Sequence, residues 1–215
     1  MEKLVDIHTH RKGSGIYIFN SGTEAGCPGG EDAYCSLGIH PLFFPSDPEN
    51  RLADIALAAE KKAIVAVGEA GLDRNSETPL PLQLKWLERQ VELSEQEGLP
   101  LILHCVRAFP ELISLYKKRA PLQAWIIHGY NNRREILAEL LRHGFYISAG
   151  KNLFVPGSNI RCLLGEIPPD RLLMETDDSS YSIEEIYEEA ARLLGLEVPA
   201  LARTVYINFQ RIFKI

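Results

Sequence analysis

Histidines and carboxylates stand at regular places in this sequence, each just past a short apolar run. His8-Thr9-His10 follows residues 3–7, His40 follows 34–39, Glu69 follows 63–67, His104 follows 100–103, His128 follows 123–127, and Glu175-Thr176-Asp177 follows 171–174. Imidazole nitrogens and carboxylate oxygens are the donors that zinc, manganese and magnesium accept. His8 and His10 are two residues apart, so on an extended segment both rings face one side, as gripping a single ion requires; two solvated loop histidines are the alternative. Glu69 ends a run apolar enough for burial on both faces, where a carboxylate needs a compensating cation, either a metal ion or an Arg or Lys side chain. One buried histidine is commonly structural, but His104 and His128 repeat the same pattern at equivalent positions. Asp177 is placed to hold an ion opposite His8 and His10, and to orient or deprotonate a water whose pKa that ion lowers. Glu175 suits a supporting role, and His143, beside Gly144, suits a helix end. The residues predict one metal centre built from His8, His10, Glu69, His104, His128 and Asp177.

What must position these groups is a repeated strand-helix unit. Eight apolar runs, the six above with 16–19 and 145–148 among them, alternate with amphipathic stretches at 49–61, 79–97, 109–119, 133–143, 159–165, 182–194 and 198–213. Gly98-Leu99-Pro100 stops one helix, and Ser182-x-x-Glu185 has the form of a capping box. Eight strands in such an alternation predict a TIM-like (β/α)8 barrel, whose active site lies at the carboxyl ends of the strands. The first third departs from the scheme. Only residues 9–15 separate the first two runs, too few for a helical crossover, and 20–33 is rich in glycine, so a shortened barrel lacking helices on this side is expected.

Composition bounds the rest. The 215 residues suffice for a single domain over 1–215, and a net charge of -6 argues against a broad basic surface that coats nucleic acid, so phosphate recognition must be local. The N-terminal residues lack a signal-peptide pattern and no apolar run reaches the roughly 20 residues of a membrane span, which predicts a cytoplasmic protein without a membrane or an obligate protein partner. Cys27, Cys35, Cys105 and Cys162 show no metal or disulfide spacing and are expected as free, mostly buried thiols.

With the residues assembled, the sequence resembles the TatD family of metal-dependent hydrolases, within the amidohydrolase superfamily. The resemblance rests on Val5-Asp-Ile-His-Thr-His10, Leu37-Gly-Ile-His-Pro41, Val67-Gly-Glu-Ala-Gly-Leu-Asp73, Leu103-His-Cys105, Ile127-His-Gly129, Gly144-Phe-Tyr-Ile-Ser148, Leu173-Met-Glu-Thr-Asp177 and Asn208-Phe-Gln-Arg-Ile-Phe213, in this order along nearly the whole chain. It implies a deoxyribonuclease cleaving phosphodiester bonds, acting on DNA that is single-stranded or at an end, with two divalent ions (Zn, Mg or Mn). Carried over, His8, His10 and Asp177 hold the first ion, His104 and His128 the second, Glu69 bridges them, and His40 sits at the rim as substrate contact or proton donor. The chain departs from the family pattern at His104-Cys-Val-Arg107, where the arginine stands one place later, at Asp178-Ser-Ser-Tyr181, where Ser-Pro and an aromatic are usual, and in its shorter first third.

For phosphate, Arg11, Arg74 and Arg107 are the main candidates on the predicted face, with Arg133, Arg134 and Lys151 further cations there. Guanidinium groups offer paired N–H donors, and solvated surface charge is the alternative for each. Tyr130 and Phe154 are candidates for stacking on a base. Two rival functions keep the fold: an amidase, lactonase or esterase with the same metal centre, and an inactive metal-binding scaffold.

Overall fold

The computed structural model describes residues 3–21 and 27–215. Its eight strands are β1 (Val5–Thr9), β2 (Ile16–Asn20), β3 (Ala33–Leu37), β4 (Ala66–Asp73), β5 (Leu101–Val106), β6 (Trp125–Ile127), β7 (Tyr146–Ala149) and β8 (Leu172–Met174). They form one sheet in chain order. Each pair whose register is resolved runs parallel, and β8 is followed by a parallel bridge between Thr9 and Asp177 that brings the last strand beside the first. This is the topology of the expected (β/α)8 barrel. The helices are α1 (Pro48–Glu60), α2 (Leu80–Glu97), α3 (Phe109–Arg119), α4 (Arg134–Arg142), α5 (Asn159–Leu163), α6 (Ile183–Leu194) and α7 (Val198–Phe213). Among the described residues none lies between β1 and β2 or between β2 and β3, as the short, glycine-rich connections predict.

The chain packs as two compact units. The first comprises Met1–Phe19, Pro28–Tyr34 and Ile127–Ile215. In it α6 and α7 cover β1 and β8. The buried Tyr187 hydroxyl donates to the Val5 carbonyl at 3.0 Å, and Asn208 Nδ2 donates to the carbonyls of Pro169 and Leu172 at 2.7 and 2.9 Å, which ties α7 to the start of β8. Ser182 and Glu185 form the expected capping box at the start of α6.

The second unit comprises Asn20–Cys27 and Cys35–Ile126. Here α2 lies along β4 and carries two buried glutamines, Gln83 and Gln90, two turns apart and so on one face. Gln83 Oε1 accepts from the Asp73 N–H at 2.8 Å and its Nε2 donates to the Asp73 carbonyl at 2.9 Å. Gln90 does the same for Ile39, at 2.7 and 3.3 Å. One helix face thereby fixes the backbone at Asp73 and at the residue before His40.

Two expectations need correction. Against the expectation of free, mostly buried thiols, Cys27 and Cys35 are joined by a disulfide, Cys162 is exposed, and Cys105 is free but half-buried; burial pushes its thiol well above the ordinary range. The fourth and fifth strands also run further than their apolar stretches, because β4 continues through Asp73 and β5 through Val106. Glu69 and His104 therefore sit inside strands rather than past their ends.

Candidate metal centre

In the first unit, β1 carries His8 and continues into His10, while Asp177 follows β8. The Asp177 N–H donates to the His8 carbonyl at 2.9 Å and the His10 N–H donates to the Asp177 carbonyl at 3.2 Å, so the backbone itself holds the three residues together. Asp177 adopts φ 55°, a left-handed conformation that Asp tolerates better than most residues and that turns its side chain toward the histidines. Its Oδ1 lies 3.8 Å from His8 Nε2 and 3.5 Å from His10 Nε2. Donor atoms of His8, His128 and Asp177 all lie within 4.8 Å of one another. Burial alone would raise the Asp177 carboxyl, but the His10 hydrogen bond, the charges of His128 and His8 and the Lys151 contact outweigh it and hold the group below the usual carboxylate range. Lys151 Nζ donates to Asp177 Oδ2 at 3.0 Å and also meets Asp178.

Glu175, fully buried, accepts from the Gly129 N–H at 2.6 Å and lies 3.5 Å from His128 Nδ1, which places it behind the ring. Beneath the cluster, Asp6 accepts from Thr176 Oγ1 at 2.6 Å and from the Thr176 N–H at 3.0 Å. Burial pushes the Asp6 carboxyl up to about 7 against the pull of those hydrogen bonds.

In the second unit, donor atoms of His40, Glu69 and His104 lie within 4.8 Å of one another. Each ring is held by partners at both nitrogens. Asp73 Oδ2 sits 2.8 Å from His104 Nε2 and Glu69 Oε1 lies 3.1 Å from its Nδ1, so the ring stands between two carboxylates. At His40 the Leu42 N–H donates to Nδ1 at 3.0 Å, leaving Nε2–H to donate to Glu69 Oε1 at 2.9 Å. Asn20 braces Glu69 from the far side, its Nδ2 donating to Oε2 and its Oδ1 accepting the Glu69 N–H, both at 3.2 Å. Gly71 pairs with His104 across β4 and β5, and a Cβ there would collide with the His104 carbonyl.

Neither Asp73 nor Asn20 stands out in the sequence as a site residue. Both matter through the other atoms they hold, and the one available signal was that Asp73 closes the Gly71-Leu72-Asp73 motif.

The cations separate into two kinds. Arg74 pairs with Glu111 and donates to the Arg107 carbonyl at 2.8 Å, Arg134 pairs with Glu166, and Lys151 is held by the two aspartates. Arg107 is exposed with φ 55°. Arg11 is exposed and, with Lys12, lines a cavity of about 470 Å³ that also reaches Thr9, Thr176 and Tyr181. Of the two aromatic candidates, Tyr130 is 2% exposed with its hydroxyl donating to the Arg133 carbonyl, which removes it as a stacking surface. Phe154 already stacks on Tyr181, with ring centroids 3.8 Å apart.

Residues 27–214 match the family model described as TatD related DNase. The chain belongs to the TatD DNase family. Among its relatives, the uncharacterized metal-dependent hydrolase YabD of Bacillus subtilis is 28% identical over 85% of this chain and 78% of its own length. A 3'-5' ssDNA/RNA exonuclease TatD of Edwardsiella piscicida is 35% identical over 67% of this chain and 57% of its own. The solved structure of YjjV, a TatD homolog from Escherichia coli, superposes with a TM-score of 0.86 over 99% of this chain and 98% of that one, at 21% identity, and shows the same barrel fold. This TatD-family chain is therefore a metal-dependent hydrolase of nuclease type, a membership that favours neither the carbonyl hydrolase nor the inactive scaffold. Both clusters fit divalent ions by the chemistry of their donors: imidazole and carboxylate together, with ring nitrogens oriented by carboxylates behind them.

Proposed function

We propose that the chain is a nuclease that removes nucleotides from an end of single-stranded DNA or RNA, using two divalent ions. His8, His10 and Asp177 would hold one, His104 and His128 the other, with Glu69 shared between them. The observation that carries this reading is His104, whose Nε2 is committed to Asp73 while Nδ1 is presented to Glu69. With its hydrogen on Nε2 toward Asp73, His104 would offer Nδ1 to an ion shared with Glu69, the arrangement in which a carboxylate behind the ring orients a ligand. The names of the exonuclease relatives supply the substrate class, and their 3' to 5' direction is the polarity proposed here.

When bound, such ions polarise a phosphoryl oxygen and lower the pKa of water. The side chains do the rest. Asp177, kept ionised by the cationic groups around it, takes or orients the proton of the attacking water. His40 carries hydrogen on Nε2 and donates it to Glu69 Oε1, which places a neutral N–H donor where it can hydrogen-bond a substrate oxygen. Lys151 and Arg11 supply positive charge for the phosphates that flank the scissile bond.

The test strips the protein of metal, restores magnesium, manganese or zinc in turn, and follows an end-labelled single-stranded DNA beside Asp177→Asn. The expected result is metal-restored stepwise shortening from the 3' end, reduced about 10²-fold or more in the variant. Full activity without metal, or in the variant, would overturn the proposal.

A further inference from the structure

The segment between β3 and α1 reads His40-Pro41-Leu42-Phe43-Phe44-Pro45, and its two phenylalanines meet opposite fates. The Phe44 ring packs edge-on against the buried Trp86, with centroids 6.5 Å apart. Phe43 is 75% exposed, and beside it Leu42 is 45% exposed. The segment is stapled on all sides: Ser76 Oγ donates to the Pro41 carbonyl at 2.6 Å, the Leu42 N–H donates to His40 Nδ1, Gln90 holds Ile39, and Asp47 caps α1 through the Asn50 N–H. A loop this well tied presents Phe43 to solvent by construction. An exposed apolar side chain is ordinary in itself; what sets Phe43 apart is that this fixed loop holds its ring against His40.

We propose that Phe43 is the stacking platform for the base of the terminal nucleotide, an inference that rests on the nuclease reading above. Its ring centroid lies 5.2 Å from that of His40, whose Nε2 contacts Glu69, so the platform borders the cluster that would hold the phosphate. One exposed ring flanked by one leucine matches the footprint of a single base. A protein partner needs roughly 800 Å² on each side, far more than two side chains offer. Stacking needs only a π-face, which every base has, so Phe43 would contribute affinity without sequence preference. It also replaces Tyr130, which is buried, and Phe154, which is engaged with Tyr181, as the aromatic contact.

The experiment uses metal-loaded wild-type protein and single-stranded oligonucleotides whose terminal linkages are hydrolysis-resistant phosphorothioates, carrying 2-aminopurine at the 3' or at the 5' end. Binding is read by anisotropy of a distant label and stacking by quenching of the 2-aminopurine. Quenching at one end, lost in Phe43→Ala and kept in Phe43→Tyr, is expected, with affinity falling roughly 5- to 100-fold in Phe43→Ala. An oligonucleotide whose terminal position is abasic should bind both proteins alike. Tight binding without quenching at either end, or unchanged by Phe43→Ala, overturns the platform and leaves the nuclease reading standing. No binding of any oligonucleotide by either protein overturns both.

Discussion

Single atoms decide the character of this site. As a ligand His104 would need its hydrogen on Nε2, which Asp73 Oδ2 at 2.8 Å favours, and Asp73 is itself fixed by the Asn75 N–H at 2.7 Å and by Gln83. Replacing Asp73 with Asn keeps the size but no longer enforces the tautomer, since an amide can donate as well as accept. We expect Asp73→Asn to weaken metal binding about 10- to 100-fold, measured by competition with a chromophoric chelator, while the melting temperature without metal moves little. His40→Gln tests a different role. Because His40 is held as a donor to Glu69, the substitution should lower kcat roughly 10²-fold with metal content unchanged. Loss of an ion in His40→Gln would instead make His40 a ligand. The donors that the structure gathers, His8, His128 and Asp177 in one unit and His40, Glu69 and His104 in the other, are legible in the sequence because each follows an apolar run. The residues behind them are not: Asp73, Asn20 and Gln90 act through hydrogen bonds to groups distant in sequence, and no local pattern marks such a partner.

At the scale of elements, the strands are more than supports. β4 and β5 carry Glu69 and His104 inside their lengths, and their register puts Gly71 against His104. The Cβ of Gly71→Ala would meet backbone, which cannot swing aside, at a φ of 148° that alanine also adopts poorly. The variant should lose more than about 1 kcal/mol in urea unfolding and also lose metal, since the strand pairing that seats His104 beside β4 is disturbed. Unchanged stability and metal content would show that the two strands tolerate separation. The helices from 49 onward follow the amphipathic stretches within a residue or two at most ends, because apolar spacing and caps such as Gly98 and Ser182 are local signals. The strand ends were misjudged for a physical reason. Gly68-Glu69-Ala70-Gly71 reads as a break by composition, yet both faces of β4 are buried and α2 holds its far end through Gln83. Tertiary contacts there override the weak strand tendency of glycine and glutamate.

The whole molecule is acidic, with a net charge of -6, so attraction to a polyanion must come from the few cations near the site and from bound ions. Removing metal should therefore abolish most oligonucleotide affinity as well as turnover, an outcome that binding isotherms with and without chelator would show. Acid stability has a contribution away from the site. Glu189 lies between Arg192 and Arg161, which hold its carboxyl down to about 2 from an ordinary 4.5. A depressed carboxyl adds stability above its ordinary range and loses it as the pH falls, so thermal stability should drop between about pH 4.5 and 2, and Glu189→Gln should flatten that part of the profile. Among the described residues no helix is long and apolar enough to cross a membrane.

Two ions are proposed, one on His8, His10 and Asp177 and one on His104 and His128, with Glu69 shared. Metal content per chain, measured by plasma emission after dialysis against each candidate ion, tests this most directly in the wild type, in His8→Ala/His10→Ala and in His104→Ala. Two ions are expected in the wild type and one fewer in each variant. No ion in the wild type, or two retained when either cluster is broken, would contradict the proposal.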